Sequence, residues 1–244
     1  MSYLNEIKAY WNQRSDGYSR QVQDEIETDY DAWKERFARL LADAPGIKAL
    51  DMGCGPGLFT ILLADLGYDM TSVDYSEDML KEAQKNTASR GLTSRFLQGD
   101  AHKLSFDDDS FDVIVSRNLT WNLEHPADAY QEWLRILRPG GLLINFDGNH
   151  YSYLYREEYL LERRQEDFFD GHNPEYMKNI NVSIIDNIAK ELPLSKEMRP
   201  QWDMEVLIRL GVSSVGAELL HHSFTDAEGN YHKILKKFIL KAVK

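Results

Sequence analysis

The sequence predicts an α/β fold, with helices on the faces of a seven-stranded mixed sheet. Three observations predict it. Short apolar runs alternate with helical patterns between Lys48 and Asp147. The first run empties into a glycine turn, KALDMGCGPG (Lys48 to Gly57), and an apolar helical pattern follows at once. Near the end of the chain, two alternating runs are joined by the turn DAEGN. Such a hairpin adds antiparallel strands to a parallel sheet.

Residues 2 to about 42 are predicted helical, because Tyr3, Leu4, Ile7, Tyr10 and Trp11 recur at helical spacing. Tyr30, Trp33, Phe37, Leu40 and Leu41 do so again, and Asp43, Pro45 and Gly46 punctuate the end. Lys48–Met52 is the first strand, and Leu58–Leu66 is its helix, closed by Gly67. Asp69–Asp74 is the second strand; Ser76 caps a helix running to about Ser89, which Gly91 ends. Ser94–Gln98 and Phe111–Ser116 are the third and fourth strands, and a helix lies near Pro126–Leu137. Pro139-Gly140-Gly141 reads as a turn and Leu142–Asp147 as the fifth strand. Strands separated by helices pair in parallel through right-handed crossovers.

The alternation breaks after Asp147. Residues 150–200, rich in Tyr, Glu and Arg, are predicted as an insertion of long helical stretches. Trp202–Leu210 is the next helix, ended by Gly211, and Trp202 anchors the insertion to the body. Val212–His221 and Lys233–Val243 form the terminal hairpin. The chain is therefore expected as a single domain, 1–244. Its parts are an N-terminal helical segment (1–45), a core (46–149), the insertion (150–200), and a C-terminal helix with the hairpin (201–244).

Composition narrows the function. The chain is 43% apolar and 28% charged, enough to bury a core and stay soluble. Its net charge of -12 argues against a nucleic-acid partner, which usually meets a basic surface. The lone Cys54 forms no internal disulfide and suits a reducing compartment. No apolar run nears a membrane span, and the stretch MSYLNEIKAYW is too polar for a signal peptide. A cytoplasmic protein is expected, as a monomer or homodimer.

In an open parallel sheet, ligands bind beyond the carboxyl ends of the strands. Four polar signals fall at four such ends. Asp51 and the glycines Gly53, Gly55 and Gly57 end the first strand. Asp74 ends the second, Asp100 follows the third, and Ser116, Arg117 and Asn118 follow the fourth. The bare glycine backbone and the open N–H groups of a helix start admit a ligand closely. Asp51 before the turn would repel a pyrophosphate and attract an ammonium group.

These positions resemble class I S-adenosylmethionine-dependent methyltransferases of the small-molecule type, which have a Rossmann-like fold. DMGCGPG resembles that family's glycine motif and VDYSEDML (Val73 to Leu80) its second. GDAHKLSF, FDVIVS and LRPGGLLI resemble its later segments. The resemblance is close from Lys48 to Asp147 and loose through Lys244. It implies that Gly53, Cys54, Gly55 and Gly57 line the methionine part of S-adenosyl-L-methionine, and that Asp51 holds its ammonium. Asp74 would take both ribose hydroxyls, with Ser76 beside it, and Tyr75 would pack on the adenine. Asp100 would accept from the adenine amino group and the Ala101 N–H would donate to the ring. Backbone at Arg117 and Asn118 would touch the methionine amine. Tyr10, Arg14 and Tyr18, in AYWNQRSDGYSRQV, would form a lid like that of small-molecule members, although they also suit an ordinary packed helix.

The same resemblance implies in-line methyl transfer to a small-molecule acceptor, with S-adenosyl-L-homocysteine as product. Candidates around the acceptor are His125, Asp147, His150 and Tyr151. His150 and Tyr151 are the catalytic candidates, and Trp121, Asp147 and His150 the acceptor contacts; His172 is a weaker one. No Pro-Pro-aromatic segment or Pro-Cys nucleophile follows the fourth strand, against an amino-directed or cytosine-C5 nucleic-acid enzyme. Cys54 lies in the glycine turn and is read as structural rather than as a nucleophile. Asp147, Asn149 and His150 match only part of a metal-binding cluster, so no metal site is expected. Two other readings stand beside this one. A non-catalytic module binding S-adenosylmethionine or S-adenosylhomocysteine would carry the same cofactor residues. A nicotinamide-dependent oxidoreductase would need G-x-G-x-x-G, whereas this turn reads G-x-G-x-G.

Overall fold

The computed structural model describes residues 2–165 and 173–244. Phe168, Phe169 and the candidate His172 lie outside the described residues. The elements in chain order are α1 (Leu4–Leu40), β1 (Lys48–Met52), α2 (Leu58–Asp65), β2 (Asp69–Asp74), α3 (Glu77–Ser89), β3 (Arg95–Gln98) and β4 (Phe111–Arg117). There follow α4 (Pro126–Ile136), β5 (Leu137–Gly148), α5 (Glu157–Gln165), α6 (Val182–Glu191), α7 (Gln201–Arg209), β6 (Ser214–Thr225) and β7 (Tyr231–Val243).

One seven-stranded sheet runs in the order β3-β2-β1-β4-β5-β7-β6. The first five strands pair in parallel; β7 pairs antiparallel with both β5 and β6. Strand order reverses between β1 and β4, and the crevice beyond their carboxyl ends is where such sheets bind ligands. Period-two alternation sends Leu50, Met52 and Ile114 into the core under α4 and α7, with Tyr130, Trp133 and Leu207. Ala49, Val113 and Val115 face the other way, against α2 and the C-terminal part of α1, with Phe37, Phe59 and Leu62.

The N-terminal stretch is helical as its spacing predicts, one continuous helix of 37 residues. Gly17 sits inside it where a Cβ would come within 2.1 Å of the Tyr176 carbonyl oxygen, so the glycine admits a close approach to the insertion. Two local expectations elsewhere are corrected. Pro139–Gly141 is not a turn before the strand but an irregular part of β5: Phe111 pairs with Leu137, then the register shifts to Val113 with Leu142. Gly140 takes φ +76 there and donates its N–H to the Lys244 carbonyl. Among its described residues the insertion holds short helices rather than long ones, and Pro174 and Pro193 begin 3-10 turns beside them.

A third apolar cluster joins α1 to the insertion and to the chain after β4: Ile7, Tyr10, Trp121, Ile185, Ile188 and Leu192. It roofs the crevice. No helix among the described residues is long and apolar enough to cross a membrane.

Candidate functional site

Beneath that roof lies a cavity of about 250 Å³ between the carboxyl ends of β1, β2 and β4 and the N-terminal half of α1. The glycine turn forms its floor. Gly53, Gly55 and Gly57 have φ of +67, +51 and +93, a region that side chains resist. A Cβ on Gly53 would come within 2.8 Å of Leu119. Gly57 lies behind the lining: it begins α2, and its Cβ position is 3.3 Å from Ala83 of α3. Its role in the structure is helix packing, while Gly53, Cys54 and Gly55 line the cavity.

Three carboxylates reach the same space. Asp51 is 2% exposed and accepts the Thr60 hydroxyl at 2.7 Å. Burial pushes its pKa up to about 7, against the Thr60 hydrogen bonds that lower it. Asp74 accepts the Gly55 N–H with Oδ2 and the Ser76 N–H with Oδ1, both at 2.8 Å. Burial pushes its pKa up to about 6, although these backbone donors oppose the rise. Two fixed donors lock the carboxylate's rotation, and each oxygen keeps a lone pair for a hydroxyl. Asp100 and Ala101 line the cavity beyond β3, beside Tyr75. Ser76 also lines it, but its hydroxyl is engaged: it accepts the Met79 N–H as the cap of α3 and donates to Asn12 of α1.

The roof residues are Tyr10, Arg14 and Tyr18. Tyr18 lies over the turn, its Cε1 3.5 Å from the Cβ position of Gly55. Arg14 is 2% exposed, donates to the Tyr176 carbonyl at 2.9 Å, and so ties α1 to the insertion. Arg117 and Asn118 line the cavity at the end of β4. The Arg117 side chain is paired with Glu25 of α1 at 2.9 Å and lies over the Trp33 ring at 5.3 Å. Asn118 takes φ +50 and donates its N–H to Phe146 of β5, which sharply turns the chain.

The far half of the cavity is aromatic. Trp11 and Trp121 stand 6.4 Å apart, and Tyr151 leans on Trp121 at 4.6 Å. Burial pushes the Tyr151 phenol well above its usual range, so it is neutral and can donate. His150 lines the same wall, 6.1 Å from Trp121, with Nε2 3.3 Å from Asp147 Oδ1.

Asp147, expected to face the acceptor, is instead buried behind that wall. It accepts from Arg199 at 2.9 Å, from the Thr120 hydroxyl and from the Trp121 N–H at 3.1 Å. Burial works against the charge, but the Arg199 guanidinium prevails and holds this carboxyl well below its usual range. Its place is therefore to hold the wall, since its lone pairs are turned to the protein. His125 is the residue before α4 and is not in the lining.

Cys54 is free and buried, and its thiol is pushed well above its usual range by that burial. It is an apolar lining residue, not a thiolate. Among the described residues, no group of three His, Cys, Asp or Glu could hold a metal ion.

The cavity also gathers residues that sequence reasoning passed over. Lys8 sits 5.5 Å over the Tyr75 ring, Asp186 accepts the Tyr153 hydroxyl at 2.7 Å, and Arg163 stacks on Tyr153 at 4.4 Å. Their helices show ordinary surface patterns, and only the roof's packing aims them inward. His102 had a local signal, since it follows Asp100 by two positions.

Residues 50–145 match the family described as a methyltransferase domain. The chain is 35% identical over 115 residues to a demethylmenaquinone methyltransferase of Staphylococcus aureus, covering 46% of this chain and 47% of that one. It is 30% identical over 139 residues to one of Clavibacter sepedonicus, covering 57% and 56%. The chain thus spans about half the length of the curated relatives it matches. Two solved structures share the fold. A SAM-dependent methyltransferase from Aquifex aeolicus is 16% identical with a TM-score of 0.56, covering 92% of this chain and 97% of that one. A candidate S-adenosyl-L-methionine-dependent methyltransferase from Methanococcus maripaludis is 23% identical with a TM-score of 0.57, covering 93% and 91%.

Proposed function

We propose that this chain, whose residues 50–145 match the methyltransferase-domain family, is an S-adenosylmethionine-dependent methyltransferase that methylates a small, ring-bearing acceptor held between α1 and the insertion. One observation carries the reading: Asp51, Asp74 and Asp100 share a single cavity with the glycine turn, and the opposite half of that cavity is aromatic. The donor set suits the cofactor's chemistry. A buried carboxylate favours an ammonium, a locked carboxylate favours a vicinal diol, and glycine backbone admits a close-lying chain.

Bound S-adenosylmethionine supplies an electrophilic methyl on a cationic sulfur. Asp51 holds the ammonium, with the backbone at Arg117 and Asn118. Asp74 accepts both ribose hydroxyls. Asp100 and the Ala101 N–H read the adenine edge, and Tyr75 packs on its face. Tyr10, Arg14 and Tyr18 cover the site and exclude water. Trp11, Trp121 and Tyr151 wall the acceptor, and His150 takes its proton. The work of these residues is to hold two reactants in line, which removes most of the entropic barrier to their meeting. Relatives named demethylmenaquinone methyltransferases support an apolar, ring-bearing acceptor, as does the aromatic wall.

Calorimetric titration with S-adenosylmethionine tests the premise, and no binding at millimolar ligand would overturn it. Release of S-adenosylhomocysteine with a panel of small acceptors, reduced quinones included, tests turnover. Tight binding with no product from any of them would favour the binding-only reading.

A further inference from the structure

The segment after β3 contains a hydrogen-bond chain that the roles above leave unused. Asp100 Oδ1 accepts the His102 backbone N–H at 3.0 Å and lies 2.6 Å from His102 Nδ1. The other ring nitrogen, Nε2, accepts the His125 backbone N–H at 3.3 Å. His125 is the residue before α4, where Pro126 begins the helix. A ring that accepts at Nε2 and donates at Nδ1 is the neutral Nδ1–H tautomer, assigned here from its partners. Both nitrogens are then used, and the ring bridges the Asp100 carboxylate to the start of a helix buried in the core. The His102 side chain is 17% exposed, and its ring meets that of His125 edge-on at 6.0 Å. The His102 hydrogen bond also holds the Asp100 carboxyl below its usual range.

We infer that His102 is a positioning residue for base recognition: it pins Asp100 Oδ1, leaving Oδ2 to accept the exocyclic amino group of a 6-aminopurine. The inference rests on reading this cavity as the S-adenosylmethionine site. A carboxylate oxygen only accepts, so a pinned one selects an amino group over a hydrogen or a carbonyl at that position. Without the ring, Oδ1 keeps only the His102 backbone N–H, the partly exposed carboxylate can rotate about it, and much of that selectivity is lost. The chain Asp100–His102–His125 therefore ties cofactor identity to the placement of α4.

The test compares S-adenosylhomocysteine with its 6-deamino analogue, in which hydrogen replaces the amino group, by calorimetry. The wild-type protein is expected to prefer the amino compound by about tenfold, the worth of one hydrogen bond to a charged group. His102→Phe keeps a ring but removes the donor. It should cut that preference to about twofold while leaving the analogue's affinity unchanged. His102→Asn places an amide nitrogen near the Nδ1 position and should restore most of the preference. A preference retained in His102→Phe, or an equal loss for both ligands, would overturn the inference. Asp100→Ala separates it from its premise. If that variant, or the wild type, shows no change in or absence of selectivity respectively, the adenine role of Asp100 fails; if Asp100→Ala loses selectivity and His102→Phe keeps it, only His102 fails. Nitrogen-15 spectra of the wild-type imidazoles need no variant: an Nε2–H tautomer for His102 would also overturn it.

Discussion

Arg199 and Asp147 meet at 2.9 Å with both side chains wholly out of solvent, one from the end of the insertion and the other from β5. Arg199 also grips Asp203 of α7 through Nε and Nη2. Asp147 in turn holds Thr120 and the Trp121 N–H, so a buried ion cluster anchors the aromatic wall of the cavity. Removing the cation leaves two carboxylates buried without compensation. Arg199→Met is therefore expected to cost about 3–5 kcal/mol of stability. Urea denaturation reads this directly, and a loss below about 1 kcal/mol would show that the cluster relaxes or hydrates.

Asp74 is the residue whose loss should be felt most cleanly by the cofactor. Asp74→Ala removes the acceptor for two hydroxyls and is expected to weaken S-adenosylhomocysteine binding by about 1–3 kcal/mol. An unchanged dissociation constant would rule out the ribose role.

The raised pKa values of Asp51, about 7, and Asp74, about 6, set a pH dependence. Both acids serve an ammonium or hydroxyl donor only as carboxylates. Below these values the free site is protonated, and binding must expel the protons. Affinity for S-adenosylhomocysteine should rise as pH increases from about 5.5 to 8 and then level off. Calorimetry near pH 6.5 in buffers of different ionisation enthalpy should show proton release. A flat profile would mean that neither carboxyl contacts the ligand.

Gly57 and Gly67 have nearly the same backbone, φ +93 and +89, but different surroundings. A Cβ on Gly67 meets nothing within 4 Å, while one on Gly57 lies 3.3 Å from Ala83. Gly67→Ala is expected to cost about 1 kcal/mol from the left-handed conformation alone. Gly57→Ala should cost about 1 kcal/mol more, because α3 must shift. Thermal melts of the two variants measure the difference, and equal losses would show that α2 and α3 have slack at this point.

Tyr18 covers the turn that holds the ligand, so Tyr18→Ala should speed S-adenosylhomocysteine release more than it slows association. Stopped-flow fluorescence separates the two rates. A change confined to association would show that α1 does not act as a cover.

The strands and their ligand-facing ends were legible because each is written in a few adjacent residues. Lys48–Met52 and Asp69–Asp74 fall where their patterns place them, and Ser76 caps α3 with its own hydroxyl. Asp51, Asp74 and Asp100 were legible for the same reason: each lies at or just beyond the carboxyl end of a strand, and strand ends in a parallel sheet point to one crevice. The insertion was not. Its composition shows tyrosines and charges at helical spacing, but its described residues form short pieces, with prolines beginning 3-10 turns beside them, packed against α1.

Asp147 shows where a local pattern stops being informative. Its neighbours Asn149, His150 and Tyr151 make it look like an acceptor contact, and no nearby residue reveals the arginine that claims it. Arg199 lies 52 positions away and reaches Asp147 only because the insertion folds back over β5. The sequence by itself determined the sheet, the glycine turn and the acids around it, since backbone conformation and strand ends are set within a few residues. Only the tertiary structure decided which polar side chains face the cavity and which are consumed in the core. That choice depends on the partner each charge finds across the fold, and a buried charge goes to the partner that compensates it.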